Sequence, residues 1–285
     1  MAGAAAPVTR IRPGAPVWAI PWREMWSYRD LFAILIRRDL TVVYKQSILG
    51  PLWFVLQPLL TTVVFTVVFG RLAKMSTDQV PPFLFYMSGT VLWNFFAGCL
   101  NSVAVSLATN AYLFSKVYFP RLLLPAALVA TQFVHLLLNV VIFAGVSAFS
   151  MWRGAPVRPT AELAWLPLLA LQCGVVGMGV GLGLASLTVK YRDMRLALPF
   201  LSQLWMFATP VVYPVSLVSG GPWWNVAILA LNPMAGPVDR FRSMCLGTAP
   251  MSGALYAAGL AVGLVVFAVG LLLFNKVQRT FVDTI

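Results

Sequence analysis

The sequence predicts an all-α protein that crosses a membrane several times, and three observations carry that reading. Apolar residues make up 60% of the chain, only 10% is charged, and the mean hydropathy is +0.85. A soluble domain of 285 residues needs far more charge to cover its surface. The charges divide the chain into uncharged intervals, each able to hold the roughly 20 helical residues that cross a bilayer core. Lipid offers no partner to backbone N–H and C=O groups, so intervals of this length form helices.

In order, the uncharged intervals are 46–70, 79–115, 122–152, 163–189, 196–238 and 243–275. They place six spans near 52–72, 83–107, 124–149, 163–187, 196–217 and 252–274. The fifth interval is longer than one span needs. Its second half carries Gly220-Gly221-Pro222, the short apolar run WWNVAILAL and then Asn232-Pro233. That run is too short to cross, so it reads as a re-entrant or interfacial helix, with a second short piece from Val238 to Leu246 completing a hairpin. The expected organisation is a flexible cytoplasmic tail (1–22), an amphipathic helix and elbow (23–50), a six-span transmembrane domain (51–275) and a cytoplasmic C-terminus (276–285). The start, MAGAAAPVTRIRPGAP, lacks the apolar core of a signal peptide. With six spans, fourteen of the 20 Lys and Arg fall on the side of the two termini, which places both in the cytoplasm.

The segment before the first span is basic on one arc and apolar on the other. Met25, Tyr28, Leu31, Phe32, Leu35, Ile36, Val42 and Val43 share one side of a 3.6-residue wheel, and Asp30, Arg37, Arg38, Thr41 and Lys45 share the other. This is the pattern of a helix lying on a bilayer. Gly50 and Pro51 then form an elbow into the first span. Arg37, Arg38 and Lys45 suit either anionic lipid or the anionic headgroup of a substrate at the membrane surface.

Several function classes are excluded or disfavoured. The net charge of +12 follows the topology of a membrane protein and is not a nucleic-acid footprint. Cys99, Cys173 and Cys245 stand far apart in apolar surroundings, without metal-ligand spacing. No GxxxxGK[ST] occurs, so the chain has no P-loop, and GMGVGLG fails the dinucleotide spacing. Apart from Arg71 at the very end of the first, no Asp, Glu, Lys or Arg falls inside a proposed span, which argues against both ion coupling and a membrane-embedded enzyme. His135, the one histidine, reads as a hydrogen-bonding partner for a neighbouring helix. Energy for uphill transport would therefore come from another chain.

Small residues mark helix contacts: Gly174, Gly177, Gly179, Gly181 and Gly183 in the fourth span, and Gly259 with Gly263 in the sixth. Aromatics are the other positive feature. Trp53, Phe54, Phe65 and Phe69 in the first span, Trp93 and Phe96 in the second, and Trp205 and Tyr213 in the fifth are candidates either for packing and interfacial anchoring or for a pore wall. Such a wall would let sugar rings slide past without fixed hydrogen bonds.

The runs RRDLTVVYKQSILGPLWFVLQPLL, FLFYMSGTVLWNFF, NAYLFSKVYFPRLLLP, VKYRDMRLALPFLSQLWMFATPVVYP and LNPMAGPVDRFR occur in that order from about residue 30 onward. Together they resemble the type-2 ABC-transporter permeases, and within them the polysaccharide and polyol-phosphate exporters such as O-antigen permeases. The resemblance implies a permease subunit, not an enzyme, in the bacterial cytoplasmic (inner) membrane. It implies a homodimer bound to two copies of a nucleotide-binding ATPase, which would hold the ATP and magnesium; no cofactor is expected in this chain. It implies that 24–46 is the helix seated on the ATPase, that 110–121, with Asn110, Lys116 and Arg121, is a coupling loop, and that Tyr191, Arg192 and Asp193 form a second cytoplasmic contact. The first and fifth spans would line the channel, and 222–246 would be the periplasmic gate helices. The expected cargo is lipid-linked polysaccharide of the O-antigen, capsule or teichoic-acid kind. A drug or small-lipid exporter of the same type, or an ATP-independent channel, remains the alternative.

Overall fold

The computed structural model describes residues 21–45, 50–116 and 118–280. The expected N-terminal tail (1–22) therefore lies outside the described residues up to residue 20, as do residues 281–285 and the side chains of Lys45, Pro51, Phe54 and Lys116. The described residues form twelve α-helices joined by turns and short 3-10 segments. They are α1 (Trp22–Ser27), α2 (Arg29–Lys45), α3 (Trp53–Phe65), α4 (Pro82–Thr109), α5 (Ala111–Lys116), α6 (Leu123–Trp152), α7 (Leu166–Lys190), α8 (Met194–Ala208), α9 (Val215–Ser219), α10 (Trp223–Leu231), α11 (Ala235–Leu246) and α12 (Gly253–Thr280).

Among the described residues, five helical stretches are long and apolar enough to cross a membrane: Val55–Leu72, Pro82–Thr109, Leu123–Trp152, Ala161–Lys190 and Gly253–Gln278. They match the first, second, third, fourth and sixth expected spans. The first runs from α3 into a π-helical turn, Thr66–Leu72. The stretch expected to be helical over 196–217 is instead α8, whose 15 residues reach about 22 Å at 1.5 Å per residue. It stops because Pro210 forces the residue before it out of the helical region: Thr209 has φ −101° and ψ 144°.

α4 and α7 form the core, and α3, α6, α8, α11 and α12 pack around them. The glycine run of α7 explains the close approach. A Cβ on Gly177 would lie 2.8 Å from Cys99 Cβ, and one on Gly181 would lie 2.7 Å from Val103 Cβ and 2.9 Å from the Leu100 carbonyl. On the other side of α7, Gly179 meets Phe267 and Gly270 of α12. The backbones can touch only because no side chain stands between them.

Hydrogen bonds fix which helix ends lie together. Thr188 Oγ1 donates to the Ala104 carbonyl (2.6 Å), pairing the C-terminal ends of α7 and α4. Arg121 donates to the Gln278 carbonyl, adding the start of α6 and the end of α12 to that end of the bundle. At the opposite end, the Thr160 N–H donates to the Met244 carbonyl (2.9 Å), and Arg240 pairs with Glu162 (3.3 Å). Ser216 donates to Asp78 there (2.9 Å). The chain between Met194 and Gly253 therefore passes from the first end to the second, with α8 making the passage and α9 to α11 gathered at the far end.

Gly50 bends the chain ahead of α3 with φ +48°, a conformation that favours glycine. The apolar arc of α1 and α2 is covered in large part by protein. Leu35 is buried, and Met25, Tyr28, Leu31, Phe32 and Ile36 pack with it against Phe119, Leu123, Leu124 and Ala127 at the start of α6. Trp22, Trp26, Ile34 and Val42 stay exposed.

Candidate functional site

Residues expected to act together collect at the two ends of the bundle. At the end holding Asn110 and Lys190, α2 meets the α4–α5 junction. Arg38 Nη2 pairs with Asp39 Oδ1 (2.7 Å), and the same nitrogen lies 3.4 Å from Asn110 Oδ1. The Asn110 amide donates to the Ser106 carbonyl (3.1 Å) and to Thr109 Oγ1 (3.0 Å), so it caps α4 while facing Arg38. Arg121 is partly buried against the end of α12, and that burial pulls its guanidinium below its usual value. Arg37 is exposed, as are Tyr191, Arg192 and Asp193 in the turn between α7 and α8. Lys190 Nζ sits 5.2 Å from the Tyr191 ring centroid. The structure thus joins Arg38 to Asn110 and leaves the 191–193 turn as a separate exposed projection at the same end.

The expected pore aromatics divide by burial. Phe65, Trp93 and Phe96 are buried in the bundle and offer no open face within this protomer. Phe96 meets Trp205 edge-on at 5.1 Å, and Trp93 lies 5.2 Å from Phe96 and 6.5 Å from Trp205. Phe65 packs on Phe69 (5.6 Å) and Tyr86 (6.4 Å). Phe69, Trp205 and Tyr213 are partly buried, and Trp53 is 48% exposed at the start of α3.

The far end, within the expected gate segment 222–246, holds a polar cluster around Arg242. Arg242 on α11 is 1% exposed. It donates to the carbonyls of Pro210 (3.0 Å) and Val211 (3.1 Å), contacts Ser88 Oγ on α4 (3.4 Å), and stacks over the Phe85 ring at 3.7 Å. A cation over an aromatic face in a desolvated site contributes on the order of 2 kcal/mol. The break after α8 frees those carbonyls, and Arg242 takes them up. Burial lowers the Arg242 guanidinium to about 10, so it stays protonated at neutral pH.

Asn232 ties the same break from the other side. Its amide donates to the Ala208 carbonyl (3.0 Å) and Thr209 Oγ1 (2.9 Å), while its oxygen accepts from Trp205 Nε1 (3.2 Å) and the Met234 N–H (3.0 Å). Asp239 accepts from the Met251 N–H (2.7 Å), anchoring the entry to α12; burial is the largest influence on its carboxyl and raises it above the usual range. Gly247 closes α11 with φ +76°. A buried arginine, asparagine and aspartate thus connect α4, α8, α11 and α12 where α8 breaks. The available signal was the pair Asn232-Pro233 followed by Asp239 and Arg242, inside an otherwise apolar stretch.

His135 Nδ1 lies 3.1 Å from Gln132 Oε1 on the same helix. Cys99, Cys173 and Cys245 are buried thiols, and no group of metal-ligating residues occurs among the described residues.

Residues 30–246 match the family described as ABC-2 type transporter. The chain is similar to an O-antigen export system permease protein RfbA of Myxococcus xanthus, 29% identical over 223 residues, 78% of this chain and 82% of that protein. It is also similar to two such permease proteins of Klebsiella pneumoniae, each 26% identical over 89% of this chain and 94% of the relative. The chain belongs to the ABC-2 type transporter family.

Proposed function

We propose that the chain is the membrane subunit of an ATP-driven exporter that moves lipid-linked polysaccharide across the bacterial cytoplasmic membrane. One observation carries this reading furthest: the family match and its polysaccharide-exporting relatives coincide with spans that hold no Asp, Glu, Lys or Arg before their ends. Such spans have no ionisable pair for coupling ions, so energy enters from a separate ATPase.

In this reading α8 makes a short sixth crossing, continued by 209–214, and both termini face the cytoplasm. α10 and α11 dip back from the outer side as gate helices. The end bearing Arg38, Asn110, Lys116, Arg121 and 191–193 sits on the ATPase, with ATP and magnesium bound there. Two copies of the permease form the channel, and α3 and α8 are suited to face it because each presents a row of exposed apolar side chains. α3 presents Leu60, Val63 and Val64 outward, and the π-helical turn after it Val67; α8 presents Phe200, Leu204 and Phe207. The channel-lining role then passes to the exposed or partly exposed aromatics Trp53, Phe69, Trp205 and Tyr213. Arg37, Arg38 and Lys45 would receive an anionic lipid headgroup at the surface.

The test is reconstitution of the permease with its ATPase in vesicles, with ATP-dependent movement of the lipid-linked glycan as the readout. Replacing Arg37, Arg38 and Lys45 together by Gln should lower export more than it lowers assembly with the ATPase. Full export by a well-expressed triple variant would remove the headgroup role.

A further inference from the structure

A cavity of about 370 Å³ lies between α3, α4 and α6, within the size range of small-molecule sites, which run from about 300 to 1,000 Å³. Its wall is unusual for the middle of a membrane bundle. Asn94 and Asn101 on α4, Gln132, His135 and Asn139 on α6, and Gln57 on α3 all line it. Asn94, Ala97, Gly98 and Asn101 share one face of α4 at helical spacing, and Gln132, His135, Leu136 and Asn139 share one face of α6. Both stretches sit mid-helix, so the amides are at the depth where polar groups are most costly.

Two of these amides are left unsatisfied. Asn139 is 8% exposed, its Nδ2 donates to the His135 carbonyl (3.0 Å), and its Oδ1 has no partner. The buried Oδ1 of Asn101 also has none, while its Nδ2 lies 3.5 Å from Ser202 Oγ on α8. Gly98 leaves room for the Gln132 amide, since a Cβ there would stand 2.5 Å from Gln132 Oε1. Buried acceptors without partners keep their full desolvation cost, and a cavity beside them is where the missing donors belong.

We infer that this cavity is a binding site for an uncharged, hydroxyl-rich ring of the sugar class. Carboxamides both donate and accept, as hydroxyls do, so each can pair with a sugar hydroxyl in either sense. The wall carries no arginine or lysine to hold an anion and no carboxylate to hold a cation. Pro58, Ala97 and Leu136, also on the wall, add apolar contacts between the amides. That the ring belongs to the exported glycan rests on the function proposed above; the binding of a neutral sugar does not.

The test uses the full permease in complex with its ATPase and two photoreactive probes with the same alkyl tail, an octyl glucoside and an octyl sulfate. The glucoside should cross-link within 94–101 and 132–139, excess unreactive octyl glucoside should compete it away, and the sulfate should not label there. The Asn101→Leu/Asn139→Leu double variant should lose at least five-fold of the labelling while melting at the same temperature or higher, because it removes unsatisfied buried oxygens. Gly98→Val fills the cavity without removing an amide and should lose the labelling too. Equal labelling by the sulfate, no labelling, or undiminished labelling of either folded variant would overturn the proposal. Labelling without ATP-dependent glycan export would instead sink the export reading and leave the site standing, and export without labelling would do the reverse.

Discussion

The guanidinium carbon of Arg242 lies 3.7 Å from the centroid of the Phe85 ring, which places a buried cation from α11 directly on α4. The same side chain holds the Pro210 and Val211 carbonyls, so one residue spans the core helix, the break after α8 and the far-end hairpin. Arg242→Met should destabilise the protein by about 2–4 kcal/mol, since it strands two buried carbonyls. Arg242→Lys should fall between the two, because a lysine keeps the charge without the planar fork. Thermal unfolding of the purified variants measures both. A lysine variant no better than methionine would mean that the charge over Phe85 contributes little.

Asp239 gives a pH dependence with a defined sign. Its carboxyl is raised above the usual value of 3.8, chiefly by burial, so the folded protein favours the protonated form. The stabilisation from that proton is complete below the unfolded value and is lost as pH rises through the raised folded value. Asp239→Asn keeps an oxygen for the Met251 N–H and cannot ionise. The variant should therefore melt near the wild type at about pH 4 and increasingly above it as pH rises, levelling off once Asp239 is fully ionised. A difference that is flat across that range would show that this carboxyl is not perturbed.

How far the sequence reaches is visible in these residues. The spans were legible because charge and apolar length are local properties, and the glycine contacts because small residues repeat within one helix. The end of α8 was locally encoded as well, in Thr209-Pro210, but a hydropathy interval passes straight over it. The Arg242–Ser88–Val211 and Asn232–Thr209 contacts were not legible, since each joins residues brought together only by the packing of α4, α8 and α11. Leu31, Phe32, Leu35 and Ile36 of α2 pack against the start of α6. Periodicity reports that a face will be buried and does not say against what.

Two glycines on α7 separate packing from composition. At Gly181 a Cβ would press within 2.9 Å of the Leu100 backbone carbonyl, whereas at Gly183 the nearest neighbour is Gly270 Cα at 3.7 Å. Gly181→Ala should force α4 and α7 apart and cost roughly 1–3 kcal/mol. Gly183→Ala should be neutral or slightly stabilising, because alanine favours the helix. Melting temperatures of the two variants check this, and equal loss in both would mean that the approach of α4 to α7 is not the limiting contact.

The contact between Arg38 and Asn110 predicts a split between stability and coupling. Ion pairs and hydrogen bonds at partly exposed sites contribute about 0.2–1 kcal/mol, so Asn110→Ala should shift melting only slightly. On the export reading this contact links α2 to the loop seated on the ATPase. Asn110→Ala should then lower glycan moved per ATP hydrolysed while leaving hydrolysis measurable. Stoichiometry unchanged from the wild type would confine Asn110 to capping α4.

Trp53 and Phe96 are both aromatic residues of the spans, but the structure gives them opposite surroundings: Trp53 is 48% exposed, and Phe96 is fully enclosed beside Trp93 and Trp205. Phe96→Ala should open a cavity in the core and cost about 3–5 kcal/mol, lowering expression, ATPase assembly and transport together. Trp53→Ala removes no buried contact of that kind and should leave melting within about 1 kcal/mol of the wild type. If Trp53 meets the passing glycan, its removal should slow export at constant ATPase activity. Should both variants lose transport only in proportion to folded protein, the aromatic wall has no part in translocation, and these rings serve the bundle and the lipid alone.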